Sequence, residues 1–128
     1  TKPQFELTKI AISRMELLEN DKIAYTYLNL EDFEKTNASY GDHEGIVNYG
    51  RNIEGVEISI FVREDNGWNI SLRSSGKYPV NEIAYKFNGG GHANACGASV
   101  KNKKELNQLL EMADSKLKAF KEENKELF

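Results

Sequence analysis

The chain has 128 residues, 39% of them apolar and 29% charged, with a formal net charge of −3. That length suits one domain with its own core, the composition excludes disordered and fibrous classes, and the acidic balance argues against a long surface that tracks nucleic-acid phosphates while leaving room for a local anion pocket. A lone cysteine, Cys96, excludes an internal disulfide and fits a reducing, cytoplasmic setting, and no apolar run approaches the roughly 20 residues of a membrane span, so no membrane contact is expected.

Leu7, Ile10, Ala11, Met15 and Leu18 fall at helical spacing and predict a helix over Leu7–Asn20. Lys22–Leu30 is rich in β-formers and reads as a strand. Thr36–Gly45 carries turn residues, and a short helix is expected near Gly45–Tyr49. Val56, Ile58, Ile60 and Val62 then alternate with Glu57, Ser59, Phe61 and Arg63. Asp65-Asn66-Gly67 follows and signals a hairpin. On the return strand Trp68, Ile70 and Leu72 share one face, and Asn69, Ser71 and Arg73 the other.

Ser74-Ser75-Gly76 breaks that strand. A helix is predicted over Pro79–Phe87, with Val80, Ile83, Ala84 and Phe87 on its apolar face and the run Asn88–Gly91 ending it. Ala98–Val100 reads as a short strand. Asn102 and Glu105 form a capping pair for a last helix with Leu106, Leu109, Leu110, Ala113, Leu117 and Phe120 inside, and the charged tail Lys121–Lys125 is expected to fray. The expected fold is a single α/β domain over residues 1–128, a mixed β-sheet covered by helices.

The stretch that carries chemistry is Phe87–Val100. Gly89-Gly90-Gly91 lets backbone N–H groups approach a ligand, and His92 adds an imidazole donor beside them. A phosphate suits such a cradle; a helix stop followed by a structural histidine fits the same residues. Arg73 is either a bidentate phosphate ligand or an exposed strand residue. Ser71 and Ser74 are weaker candidates because either can bond locally, and Asn94 can donate to a ligand or cap a turn. Tyr25, Tyr27, Tyr40, Tyr49 and Trp68 could stack on a base, but at strand spacing core packing is the commoner role. Asp42-His43-Glu44 is read as no metal site, since three adjacent residues rarely point at one ion.

Gly89-Gly90-Gly91-His92 followed by Asn94-Ala95-Cys96-Gly97-Ala98 resembles the Gly-Gly-Gly-His signature of the DHH-associated C-terminal domain. Ser71-Leu72-Arg73-Ser74, Arg51–Glu57 and Glu44–Asn48 resemble further blocks of that family in the same order, nearest its oligoribonuclease and pAp phosphatase (nanoRNase) branch. Cys96 stands where the family usually has Ala or Ser, which would set an oxidisable thiol near the pocket.

The resemblance implies substrate binding by Arg73, Ser74, Gly89, Gly90, Gly91, His92 and Asn94, with no catalytic residue and no metal in this stretch. It further implies a separate DHH domain of the same polypeptide, carrying two divalent metals, usually Mn2+, and absent from this sequence, which has two histidines and no Asp-His-His. The substrate class implied is short oligoribonucleotide or 3′-phosphoadenosine 5′-phosphate, and the stretch by itself is expected to be inactive. Two alternatives stay open: the same domain of a cyclic-dinucleotide phosphodiesterase, or a non-catalytic RNA- or tRNA-binding module.

Overall fold

The computed structural model describes residues 1–18 and 21–128. Thr1 caps the first helix, α1 (Lys2–Arg14), its hydroxyl accepting from the Gln4 amide, and Pro3 sits in the first turn where its missing N–H costs nothing. The helix stops at Met15, which is extended, and Glu16–Leu18 form a short edge strand, β1. The helix predicted to run on to Asn20 therefore ends earlier, and Asn20 itself lies outside the described residues. Hairpin pairing of Glu16–Leu18 with Ile23–Tyr25 overrides their helical spacing.

Strand β2 spans Ile23–Leu28 rather than Lys22–Leu30, because Asn29 leaves the sheet to cap a helix, α2 (Leu30–Thr36). The Asn29 side chain accepts from the Asp32 amide, and the Asp32 carboxylate accepts from the Asn29 amide. This helix has no counterpart among the predicted elements. The short helix expected near Gly45–Tyr49 is α3 (Ile46–Arg51).

The hairpin of β3 (Ile58–Glu64) and β4 (Trp68–Ser74) turns through Asp65-Asn66-Gly67, with Asn66 and Gly67 at φ of 51° and 112°. Helix α4 covers Asn81–Lys86, inside the predicted Pro79–Phe87. Two strands follow, β5 (Gly90–His92) and β6 (Ala95–Val100), so part of the predicted glycine loop is a strand. The last helix, α5, runs over Lys103–Glu123, with Asn102 as its cap and a 3-10 turn at Lys125–Leu127. The tail expected to fray is helical to Glu123; Phe128 packs edge-on to Phe120 and takes Lys77 and Lys121 over its ring.

The six strands lie in the order β1-β2-β3-β4-β6-β5, and β2 with β3 is the parallel pair. Helices cover both faces. Leu7 and Ala11 of α1 and Ile46 and Val47 of α3 pack with Leu28 and Phe61 on one face. Ile83 and Ala84 of α4 and Leu106, Leu109, Ala113 and Leu117 of α5 pack on Ile58, Ile60, Ile70 and Leu72 on the other. Strand β3 is buried on both faces over Ile58–Val62, which makes it the centre of the molecule. The fold is thus a single α/β domain with a mixed sheet. No helix among the described residues is long and apolar enough to cross a membrane.

Candidate functional site

Strand alternation aims the site. Ile70 and Leu72 of β4 are buried against α4 and α5, so Ser71 and Arg73 project from the opposite face, the one that carries α3. There Ser59, Arg73, Ala95 and His92 form one register row across β3, β4, β6 and β5. Two strand spacings separate the backbones of Arg73 and His92, roughly 10 Å. Arg73 and the glycine strand therefore lie on one side of the molecule.

Arg73 is half-buried, and one terminal nitrogen donates to the carbonyls of Leu72 at 3.0 Å and Cys96 at 3.4 Å. Among the described residues no carboxylate pairs with it. The guanidinium is thus held by neutral backbone oxygens and keeps its charge and remaining donors for another group. The bend behind it is fixed by Glu57, a buried carboxylate that accepts from the Ser75 hydroxyl and pairs with Lys77.

The glycines work differently from a helix-stop loop. After α4 the left-handed position is taken by Asn88, at φ 57°. Gly89 is needed for contact: a β-carbon there would stand 1.9 Å from the Gly97 carbonyl oxygen. Gly90, Gly91 and His92 pair with Gly97, Cys96 and Ala95. As β5 is the outermost strand, its second edge turns backbone groups outward, where no strand among the described residues meets them. The hairpin tip is anchored, the Ala93 carbonyl accepting from Val80 and the Asn94 carbonyl from Ser74. His92 and Asn94 are exposed.

Ser74 is not brought into this arrangement. It is buried, pairs with Ile58 on the other face, and its hydroxyl accepts from the Gly76 amide. Ser71 stands in the site instead, lining a cleft of about 280 Å3 with His43, Glu44, Gly45, Val47, Phe61 and Arg73. The motif pattern assigns no role to the Glu44–Asn48 block or to His43; the bend into α3 brings His43, Glu44, Gly45 and Val47 to the cleft that Ser71 and Arg73 line. Arg51 does not line the cleft.

His43 is enclosed by aromatic rings: it stacks on Phe61 at 6.0 Å and meets Tyr40 and Phe33 edge-on. Burial lowers its pKa, and Arg63 adds to that against the smaller pull of Glu44 and Asp42. Its Nε2 is buried without a hydrogen-bond partner. Asp42 turns away to accept from the Ser39 amide. Among the described residues no group of three or more His, Cys, Asp or Glu side chains could hold a metal ion.

The Cys96 thiol lies in the core under α4 and α5, on the face opposite Arg73, and burial pushes it up to about 11 despite the opposing pull of Arg73. An oxidisable thiol near the pocket is thus corrected to an inert buried one. Of the aromatic residues, Tyr25, Tyr27 and Trp68 pack partly against the core, whereas Tyr40 and Tyr49 are exposed.

The domain is a mixed sheet layered by helices, with a guanidinium that no carboxylate among the described residues pairs with, in register with a glycine edge strand. Residues 20–119 match the DHHA1 domain, and the chain belongs to that family. It is 30% identical over 106 residues to the bifunctional oligoribonuclease and PAP phosphatase NrnA of Bacillus subtilis, covering 82% of this chain and 33% of that protein. To the protein of the same name from Thermus thermophilus it is 37% identical over 83 residues, 64% of this chain and 24% of that one. Among solved structures, an exopolyphosphatase-related protein from Bacteroides fragilis superimposes with a TM-score of 0.85 at 36% identity, covering 93% of this chain and 36% of that chain. The chain thus spans about a third or less of the length of the NrnA relatives.

Proposed function

We propose that this domain is the substrate-binding part of a DHH-family phosphoesterase acting on short oligoribonucleotides, on 3′-phosphoadenosine 5′-phosphate, or on both. The observation that carries the reading is Arg73, half-buried, without a carboxylate partner among the described residues, and in one register row with His92 on the glycine edge strand. A guanidinium so placed is suited to a phosphate held from the side, with the outward backbone of Gly90–His92 as a second support. Gly89, Gly91 and Asn94 shape and anchor that support. The similarity to the two NrnA proteins supports the choice of substrate.

In this reading the reaction at phosphorus belongs to a companion DHH domain of the same polypeptide, with manganese as the expected metal, in a cytoplasmic setting. No step of it is assigned to the residues described here. Isothermal titration of the chain with 3′-phosphoadenosine 5′-phosphate and a 5′-phosphorylated dinucleotide tests the binding role. Arg73→Ala and His92→Ala should each weaken binding by about tenfold or more, the size expected of a lost charged hydrogen bond, while thermal midpoints stay near that of the parent. Unchanged affinity with lowered midpoints would make both residues structural. Nucleotide release by this chain alone with manganese would overturn the division of labour.

A further inference from the structure

Between β4 and α4 the chain runs over residues 75–80 without helix or strand, and Glu57 ties it down. Glu57 stands directly before β3 and is 5% exposed. Both carboxylate oxygens are used: Oε2 accepts from the Ser75 hydroxyl, and Oε1 lies 3.5 Å from the Lys77 ammonium. The Glu57 carbonyl also accepts from the Ser75 amide. The two ends of the same segment hold the turn between β5 and β6. The Ser74 amide donates to the Asn94 carbonyl at 3.0 Å, and the Val80 amide to the Ala93 carbonyl at 2.8 Å. Strand β5 has three residues and one neighbour among the described residues, a ladder too short to fix the turn by itself. A buried ion pair adds little stability over an apolar side chain of similar volume. What the carboxylate supplies is direction, through bonds to two residues of a segment with no regular hydrogen bonding of its own.

We propose that Glu57 is a positioning residue for His92: through Ser75 and Lys77 it sets the segment that carries the β5–β6 turn, and so the place of the imidazole relative to Arg73. The inference rests on the reading of Arg73 and His92 as phosphate ligands and adds to it a residue that does not touch the ligand. A direct effect of the Glu57 charge on a bound anion would have the opposite sign, since removing a carboxylate strengthens anion binding.

Calorimetric titration with 3′-phosphoadenosine 5′-phosphate, arranged as a double-mutant cycle with His92→Ala, tests it. Glu57→Met keeps the reach of the side chain and removes both oxygens. It should weaken binding about threefold or more in the parent background, the scale of coupling within one hydrogen-bond network, and by less than about twofold in the His92→Ala background. Ser75→Ala, at an exposed position, should follow the same pattern and decides the matter if Glu57→Met fails to fold. Ser75→Thr, which keeps the hydroxyl, should bind as the parent does. In the free chain, Glu57→Met or Ser75→Ala should quicken hydrogen exchange at the Ser74 and Val80 amides and leave Ile60 of β3 unchanged. Equal weakening in both backgrounds, unchanged or strengthened binding, or parent exchange rates at Ser74 and Val80 would overturn the positioning role and leave the His92 reading standing. If the parent does not bind, or His92→Ala binds as the parent does, the phosphate reading falls, and this inference with it.

Discussion

At Gly89 a side chain would collide with backbone, and backbone cannot rotate away. The Gly97 oxygen would lie 1.9 Å from the new β-carbon and the Ala98 Cα 2.7 Å from it. At Gly97 the nearest atom to an added β-carbon is the Ile70 oxygen, at 3.5 Å, an ordinary contact. Gly89→Ala should therefore cost about 2 kcal/mol or more in urea denaturation and loosen β5 from β6, while Gly97→Ala stays within about 1 kcal/mol. Equal stability of the two variants would refute the close approach at Gly89. The sequence marked these glycines as a cluster but could not divide their tasks, because the division depends on which strand each one faces. The face from which Arg73 projects was legible through strand period, whereas the place of His92 on an edge strand was not, because three residues show no period. That His43 and Glu44 line the cleft was hidden too, because their neighbours there come from β3 and β4, far away along the chain.

Between elements, the Arg14–Asp32 pair ties the end of α1 to the start of α2. Arg14 donates to both Asp32 oxygens, at 2.5 and 2.9 Å, and its guanidinium lies 4.7 Å from the centre of the Tyr27 ring. Burial pushes the Asp32 carboxyl up, but the bonds from Arg14 and the Asn29 amide outweigh that, and its pKa is lowered overall. A carboxylate whose folded pKa lies below its unfolded value, about 3.9, contributes stability above that value, and the contribution is lost as pH falls through the folded pKa. Asp32→Asn should thus flatten the decline in unfolding free energy below about pH 4. Asp32→Ala should cost about 3 kcal/mol at neutral pH by leaving Arg14 without its partner. An acid limb as steep in Asp32→Asn as in the parent would assign the decline to other carboxylates. Helix α2 was hard to read from sequence because it is short and mostly polar, so only its Asn29–Asp32 cap marks it. Strand β1 was hidden for the opposite reason: three residues are too few to show a period of two, and their apolar positions continue the spacing of α1. The central hairpin, α5 and the sheet class were legible because each repeats its period long enough to exclude the other.

For the whole molecule, one sheet separates two cores and β3 belongs to both. Ile58, Ile60 and Val62 point into the core beneath α4 and α5, and Phe61 into the core beneath α1 and α3. Neither core can open without uncovering one side of that strand, so the domain should unfold as a single cooperative unit. Leu7 in the first core and Leu117 in the second are both fully buried, and truncating either to alanine should cost about 2–5 kcal/mol. The lone tryptophan, Trp68, packs against the second core. Its fluorescence therefore reports on a region that Leu7 does not touch. In Leu7→Ala the fluorescence and far-ultraviolet dichroism transitions should move down together by the same amount. If dichroism shifts while the Trp68 signal keeps the parent midpoint, the two cores melt independently and β3 does not couple them. In that case the cleft, whose floor is β4 and whose wall is α3, would owe its shape to the first core alone, and Leu7→Ala would weaken the nucleotide binding proposed for Arg73 well below the temperature at which Trp68 reports unfolding.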